Sequence, residues 1–433
     1  MVEQSLGTSA GKATLLDVEL TGPQVIQECA IHAEHPLVGC GDRWLPWSVY
    51  ANAYKAIREH RERSPLANAI DAFYLRTLVN IRDAVQRNGT TLDLGNLLIT
   101  TTIFDATDPR DKVYALYGLI NEVHQKKIIV DYTLTVSELY TRVGAVLLGN
   151  NVNFLGYNTA SPNHDLPSWV PDWTFKGDRN VMLGGGLYKA GGGPTVRPDA
   201  DVDTRQLLVH ASRLCRVGMI DPSPPSRSLT RAELIRKIES FEETMRRAIR
   251  DYPENEAVSV LLPVLDPRSN DGLMRTVVAD SDFTGPDVND VAGDTSSKTR
   301  PAPKQFWYAL QVLQNRMSVP ADYEPRLDGE ERKRRYTEKF VFNAQRALSG
   351  SRFFITDWGL IGISHHSVRE GDYVMIVFDL DMPLLVRPAG PDTFNVVGVA
   401  YLHLMMDGEA LKLDIVEGAR EMLPGQECTV CLV

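Results

Sequence analysis

The hydrophobic period of this 433-residue chain changes along its length. A chain with such a change cannot fold as one uniform helical bundle or one uniform sheet. Ahead of Asn150, Ile70, Phe73, Tyr74, Thr77, Ile81 and Val85 recur at helical spacing, as the buried stripe of a helix does. From Arg352 to Leu413 the apolar runs are short and β-rich: Phe353–Ile355, Tyr373–Phe378, Leu384–Arg387, Phe394–Val399 and Tyr401–Met405. Turn signals separate them at Asp357 to Gly359, Gly371-Asp372, Ala389-Gly390 and Asp407-Gly408. The switch predicts an α+β chain. A mainly helical N-terminal part leads into a mixed region, then into a C-terminal antiparallel β-rich domain, a small sheet or barrel.

Finer punctuation supports this division. Asp108-Pro109 reads as an N-cap with proline in the first turn, opening a helix through Lys112–Leu119. Ser137-Glu138 opens another, with Val136, Leu139, Tyr140, Val143 and Leu147 on one face and Gly149-Asn150-Asn151 as its stop. Leu207–Val209 and Cys215–Ile220 read as two strands, and Pro222–Ser228 as a linker. Arg231–Arg250 reads as a helix that buries Leu234, Ile238, Phe241, Met245 and Ile249 and turns its charges to water. Gly184–Gly193, with two glycine triplets, reads as a mobile loop or hairpin. The stretch 268–304 is poor in apolar residues and reads mostly as a disordered loop. Phe306, Leu310, Leu313 and Met317 mark a short helix, and Glu330–Lys339 a solvated helix face.

Composition bounds the function. The net charge of −10 argues against a nucleic-acid binder, which needs a basic face. The longest apolar stretch, near Tyr373–Val386, is broken by Asp379, Asp381 and Pro383, so no membrane segment is expected. No basic n-region with an apolar run opens the chain, so no signal peptide is expected either. Five scattered cysteines, Cys29, Cys40, Cys215, Cys428 and Cys431, suit a reducing compartment, and the reading is cytoplasmic. Cys428 and Cys431 form a lone C-x-x-C; a zinc site needs a second pair. No P-loop, G-x-S-x-G elbow or H-E-x-x-H is present, and no cofactor or metal is expected.

Candidate chemistry gathers in two clusters. Asp105-Ala-Thr-Asp108-Pro-Arg110-Asp111-Lys112 concentrates charge where a loop meets a helix; the dipole and an Arg110 ion pair account for it without catalysis. Trp169 and Trp173, with Asp172 between them, form either a ligand wall or a structural anchor. For Asp172 at a ligand pocket, solvent exposure is expected. His164 beside Asp165 is an acid/base candidate, although adjacent residues seldom make that geometry. His365-His366 follow a strand and point to opposite faces if they lie on it.

Several segments together resemble a known family. Thr107-Asp-Pro-Arg-Asp-Lys-Val-Tyr-Ala-Leu-Tyr-Gly-Leu119 is similar to the most recognisable segment of the fungal heterokaryon-incompatibility (HET) domain proteins. Val130-Asp-Tyr132 and Leu166-Pro-Ser-Trp-Val-Pro-Asp-Trp173 continue the likeness, with Val25–Glu28, Cys40–Arg43 and Leu45–Trp47 upstream. Tyr188–Gly192, Met274–Asp280, Arg352–Asp357, Arg369–Tyr373 and Met405–Ala410 resemble the longer members. The family's first strands, including an S-Y-x-W-G-type segment, have no counterpart, and Gln24 stands where tryptophan is usual.

The resemblance implies that the helical part is the remnant of a TIR-like HET domain lacking its N-terminal half. On that reading 1–23 is a leader foreign to the family, and 24–175 a partial, mainly helical HET domain. Residues 176–267 hold strands and a long helix, 268–304 the loop, 305–350 helices, 351–420 the β-rich domain and 421–433 a tail. The implied function is fungal non-self recognition through protein contacts, in a degenerate form. The alternative is a scaffold recruited as a cofactor-free secondary-metabolite enzyme of isomerase, cyclase or pericyclase type, working by positioning. Whether the chain is an enzyme stays open. The partner is then another protein or a small-molecule metabolite. The candidate pocket comprises Trp169, Asp172, Trp173, His164, Asp108, Arg110 and Asp111.

Overall fold

The computed structural model describes residues 15–16, 24–32, 36–40, 43–59, 73–89, 91–158, 165–175, 187–193, 197–226, 228–251, 271–283, 299–303, 305–314, 330–412 and 428–433. These fall into two compact units. One holds the described residues of Met1–Val146 and Trp173–Lys176; the other holds those of Leu147–Asp172, Gly177–Val288 and Ser296–Val433.

The first unit is mainly helical. A small sheet, β1 (Leu15–Leu16), β2 (Leu37–Cys40) and β3 (Arg43–Pro46), accompanies α1 (Gln24–Gln27), which continues as a π-helical turn over Glu28–His32. Then come α2 (Trp47–Glu59), α3 (Phe73–Asn88), α4 (Leu94–Thr100), α5 (Asp111–Tyr114), α6 (Glu122–Lys127) and α7 (Val136–Leu148). Of the expected stripes, Thr77 and Ile81 of α3 and Leu139, Tyr140, Val143 and Leu147 of α7 are buried, and Val85 is half-buried; Leu78 and Val79 of α3 and Leu94 and Leu97 of α4 join them in the core. The start of α7 is fixed by a capping box. Glu138 Oε2 accepts the Thr135 N–H at 2.8 Å, and Thr135 Oγ1 accepts the Glu138 N–H at 3.2 Å.

The second unit is built on a closed ring of strands. The strands are β4 (Asp199–Asp201), β5 (Gln206–Ile220), β8 (Ser351–Thr356), β9 (Ile361–His365), β10 (Tyr373–Val377), β11 (Leu384–Gly390), β12 (Thr393–Leu402) and β13 (Cys428–Leu432). The strands β6 (Ser281–Phe283) and β7 (Thr299–Pro301) pair with each other. In the ring, β5 pairs with β10, β10 with β11, β11 with β12, β12 with β9, β9 with β8, and β8 returns to β5. The strand β13 bridges the far ends of β5 and β12. Closure removes the open edges that a sheet of this kind would expose. The interior is apolar, with Val217, Phe354, Val374, Ile376, Leu385 and Leu402 all buried; each such side chain contributes about 1.5–3 kcal/mol by leaving water. Outside the ring, α8 (Arg231–Asp251) stacks Phe241 on Phe353 of β8 at 4.2 Å. The remaining helices are α9 (Asp271–Val277), α10 (Gln305–Leu313), α11 (Glu330–Leu348) and α12 (Glu409–Lys412).

Several sequence expectations are corrected. The helix expected over Lys112–Leu119 is only the four residues of α5, followed by a 3-10 turn at Tyr117–Leu119. Asp108 does not cap it: its Oδ1 accepts the N–H of Arg110, two residues on, which makes a turn. The two strands expected within 207–220 are one strand, β5, and those expected within 394–405 are one strand, β12. Gly398, at φ 151°, lets β12 bend where its partner changes from β11 to β9. The loop expected over 268–304 contains α9, β6 and β7; Leu273, Met274 and Val277 bury the apolar face of α9. Residues 268–270, 284–298 and 304 lie outside the described residues, as do His164, Ile70, Met317 and the first three residues of Gly184–Gly193.

Within that glycine-rich stretch, residues 187–193 are anchored. The Ala190 N–H donates to Asp381 O at 3.0 Å and the Gly191 N–H to Leu380 O at 2.9 Å. Ala190 is buried. On α8, two charges do not face water. Lys237 is buried and donates to Ser351 O at 2.7 Å; Glu242 is buried with Arg246 and Gln314 as partners. His365 and His366 do not diverge: their ring centroids are 3.9 Å apart, because His365 ends β9 and the chain turns there.

Candidate functional site

A cleft of about 500 Å³ lies in the barrel unit. It is lined by Leu166, Pro167, Val396 and Val397 together with Arg205, Arg369, Arg387, Ser168, Ser367 and Asn395. Six separate stretches of chain build it. Ser168 Oγ accepts the Val396 N–H at 2.8 Å, and the Ser168 N–H donates to Val433 O at 3.1 Å. Asn158 Nδ2 donates to Ser168 O at 3.1 Å. These bonds fasten the Pro167-Ser168 turn to β12.

The three arginines differ in state. Arg205 pairs with Asp165 at 2.8 Å, and this holds the Asp165 carboxyl below the usual carboxylate range. Arg387 is gripped from behind. Its Nε and Nη2 donate to the two oxygens of the buried Asp372, each at 2.8 Å, and Nη2 also donates to Ser367 O at 3.0 Å. A bidentate pair of this kind fixes the guanidinium plane. The Arg369 N–H also donates to Asp372, at 2.7 Å, while its guanidinium has no hydrogen-bond partner among the described residues. Asp372 therefore fixes the Arg387 guanidinium and the main chain at Arg369.

The residues singled out in the sequence lie in two places. Asp108, Arg110 and Asp111 come together in the helical unit. Arg110 Nε and Nη2 take both oxygens of Asp108, at 3.0 and 2.7 Å, and this hydrogen bonding holds Asp108 below its ordinary range. Arg110 Nη1 reaches the carbonyl of Leu134 at 3.0 Å. The Tyr132 hydroxyl donates to Asp111 Oδ1 at 2.6 Å, which pushes the phenol up to about 12. Lys112 is buried and donates to the carbonyls of Thr102 and Phe104. The cluster thus ties the 108–112 turn to the 131–134 segment. Trp173 is adjacent to it through one residue: its ring meets Tyr140 edge-on at 4.6 Å, and the Tyr140 hydroxyl donates to Pro109 O at 2.7 Å.

Trp169 and Asp172 belong to the barrel unit. Trp169 is fully buried, and its indole N–H donates to Arg205 O at 3.1 Å, beside the cleft. Asp172 is also fully buried, against the expected exposure. Asp165 pairs with Arg205. Among the described residues, no group of three or more His, Cys, Asp or Glu side chains is placed to hold a metal ion. The cleft arginines were missed because they are scattered along the sequence and share no spacing; only Arg369–Tyr373 was singled out, by its likeness to a family segment.

The pattern of the Het-6 beta-barrel domain matches residues 230–417. A Neurospora crassa protein, heterokaryon incompatibility protein 6, OR allele, is 24% identical over 354 residues, covering 73% of this chain and 51% of that protein. Residues 230–417 thus resemble the Het-6 beta-barrel domain, and the chain is similar to a heterokaryon-incompatibility protein. It spans about half the length of that relative. No solved structure matches it. The matched interval contains β8 through β12, whereas β5 and β13, which complete the strand pairing, lie outside it.

Proposed function

We propose that this chain acts in heterokaryon incompatibility, and that it does so through protein contacts in a cytoplasmic setting. The relative's name supplies the role. The observation that carries the contact reading is an exposed apolar segment in the helical unit. Val123, Ile129, Val130 and Tyr132 are 59%, 74%, 43% and 52% exposed, within ten residues of chain. Apolar side chains gathered on a surface and rimmed by polar groups suit recognition of another protein. Arg110 supplies that rim, its guanidinium 5.2 Å from the Tyr132 ring, and Asp111 holds the Tyr132 hydroxyl. Asp108, Arg110 and Asp111 then serve as the frame that presents the segment, rather than as a catalytic set. The free thiols of Cys29, Cys215 and Cys431 support the cytoplasmic setting.

Ile129→Asp and Val130→Asp test the reading, because both side chains are exposed and neither change disturbs the core. Heterokaryons would be formed between strains differing only at this locus and scored for growth. The expected result is restored compatibility with an unchanged melting temperature. Full incompatibility in both variants would remove the contact reading.

A further inference from the structure

We propose that the barrel cleft is a binding site for a small phosphomonoester carried on a compact apolar or aromatic body. Three arginines line the cleft, and the carboxylates Asp165 and Asp372 answer two of them, leaving one cation in a chain whose overall charge is −10. Arg205 is neutralised by Asp165 and Arg387 by Asp372, so Arg369 is the cation left to meet a ligand. Its main chain is held, because the Asp372 carboxylate takes its backbone N–H and grips Arg387 at once. Arg387 still offers Nη1, which makes none of its bonds to Asp372 or Ser367. Asn395 and Ser367 add polar groups to the same lining.

A phosphate presents several oxygens to donors that converge from different directions, whereas a carboxylate is satisfied by one planar fork. Here the donors come from Arg369, Arg387 and Asn395, on three different stretches of chain. The apolar residues of the lining, among them Leu166, Pro167 and Val396, suit an apolar partner to the charge, and about 500 Å³ accommodates a small molecule rather than a bare ion. The site lies in the barrel unit and stands independently of the contact reading, which concerns the helical unit.

Phenyl phosphate is the probe, titrated calorimetrically into the full chain, with phenol, inorganic phosphate and benzoate as separate arms. Phenyl phosphate is expected to bind more tightly than any of the three. Arg369→Gln is expected to weaken it by about tenfold, which corresponds to one lost charge-assisted contact. The melting temperature should hold, since that side chain is exposed and has no hydrogen-bond partner among the described residues. Asn395→Ala is the second variant and should weaken binding without touching any charge. No phenyl phosphate binding, equal binding of benzoate, or binding indifferent to both variants would each overturn the proposal.

Discussion

At the scale of single residues, burial separates side chains that the sequence treats alike. Lys237 and Arg246 both sit on α8, yet one is sealed beneath it and the other faces water. Burial pushes the Lys237 ammonium down to about 8, with the Ser351 carbonyl as its hydrogen-bond acceptor among the described residues and Asp221 as a nearby opposing charge. Between pH 8 and 10.5 the unfolded chain therefore holds a proton at this site that the folded chain has released, so stability rises with pH across that window. From pH 7 to pH 10 the gain is about 2 kcal/mol. Denaturant titrations at the two pH values, on wild type and Lys237→Met, check it; the difference between the two proteins should grow by that amount in favour of wild type. A constant difference would place the ammonium in contact with water. Trp169 and Asp172 teach the same lesson. Their spacing marked the segment, but only the fold shows that both are fully enclosed.

Elements were legible where one period ran without interruption. The stripes of α3, α7 and α8 could be read directly, and Thr135-x-x-Glu138 and Thr230-x-x-Glu233 show how two of those helices begin. Strands were harder, because β5 and β12 each change partner part-way and a local pattern breaks at that point. The glycine-rich stretch misled for another reason: glycine marks close approach of backbone as readily as freedom. Gly191 lies against the connection between β10 and β11, and a Cβ there would stand 2.1 Å from Val377 O and 2.7 Å from Leu380 O. Both are backbone atoms and cannot swing aside. Gly191→Ala is expected to cost more than about 2 kcal/mol by overpacking, whereas Gly193→Ala, with nothing within 4 Å, should be close to neutral. Paired thermal melts decide it, and equal effects would contradict the wedged geometry.

At the scale of the whole molecule, the α+β class was readable from the change of period, because that change is a property of composition along the chain. The ring was not, since its closure depends on β5, which is far from the other ring strands in sequence and separated from them by α8 and the segments that follow. The cleft was illegible for the same reason: Arg205 reaches it from the turn before β5, Arg387 from β11 and Ser168 from ahead of both. Closure has a measurable consequence. The strand β5 is bonded to β10 and β8 in the ring and to β4 and β13 beyond it, so its amides cannot be freed by fraying one neighbour. Opening the barrel requires β5 or β12 to part from several partners at once, which is a global event. Native-state hydrogen exchange should therefore find the β5 and β12 amides among the slowest in the barrel unit, exchanging together as denaturant is raised. The β10–β11 hairpin, held in the ring by β5 and β12, should join the same cooperative group. Fast, separate exchange along β5 while β10 and β11 stay protected would mean that the ring opens at that strand and that the sheet is not closed in solution.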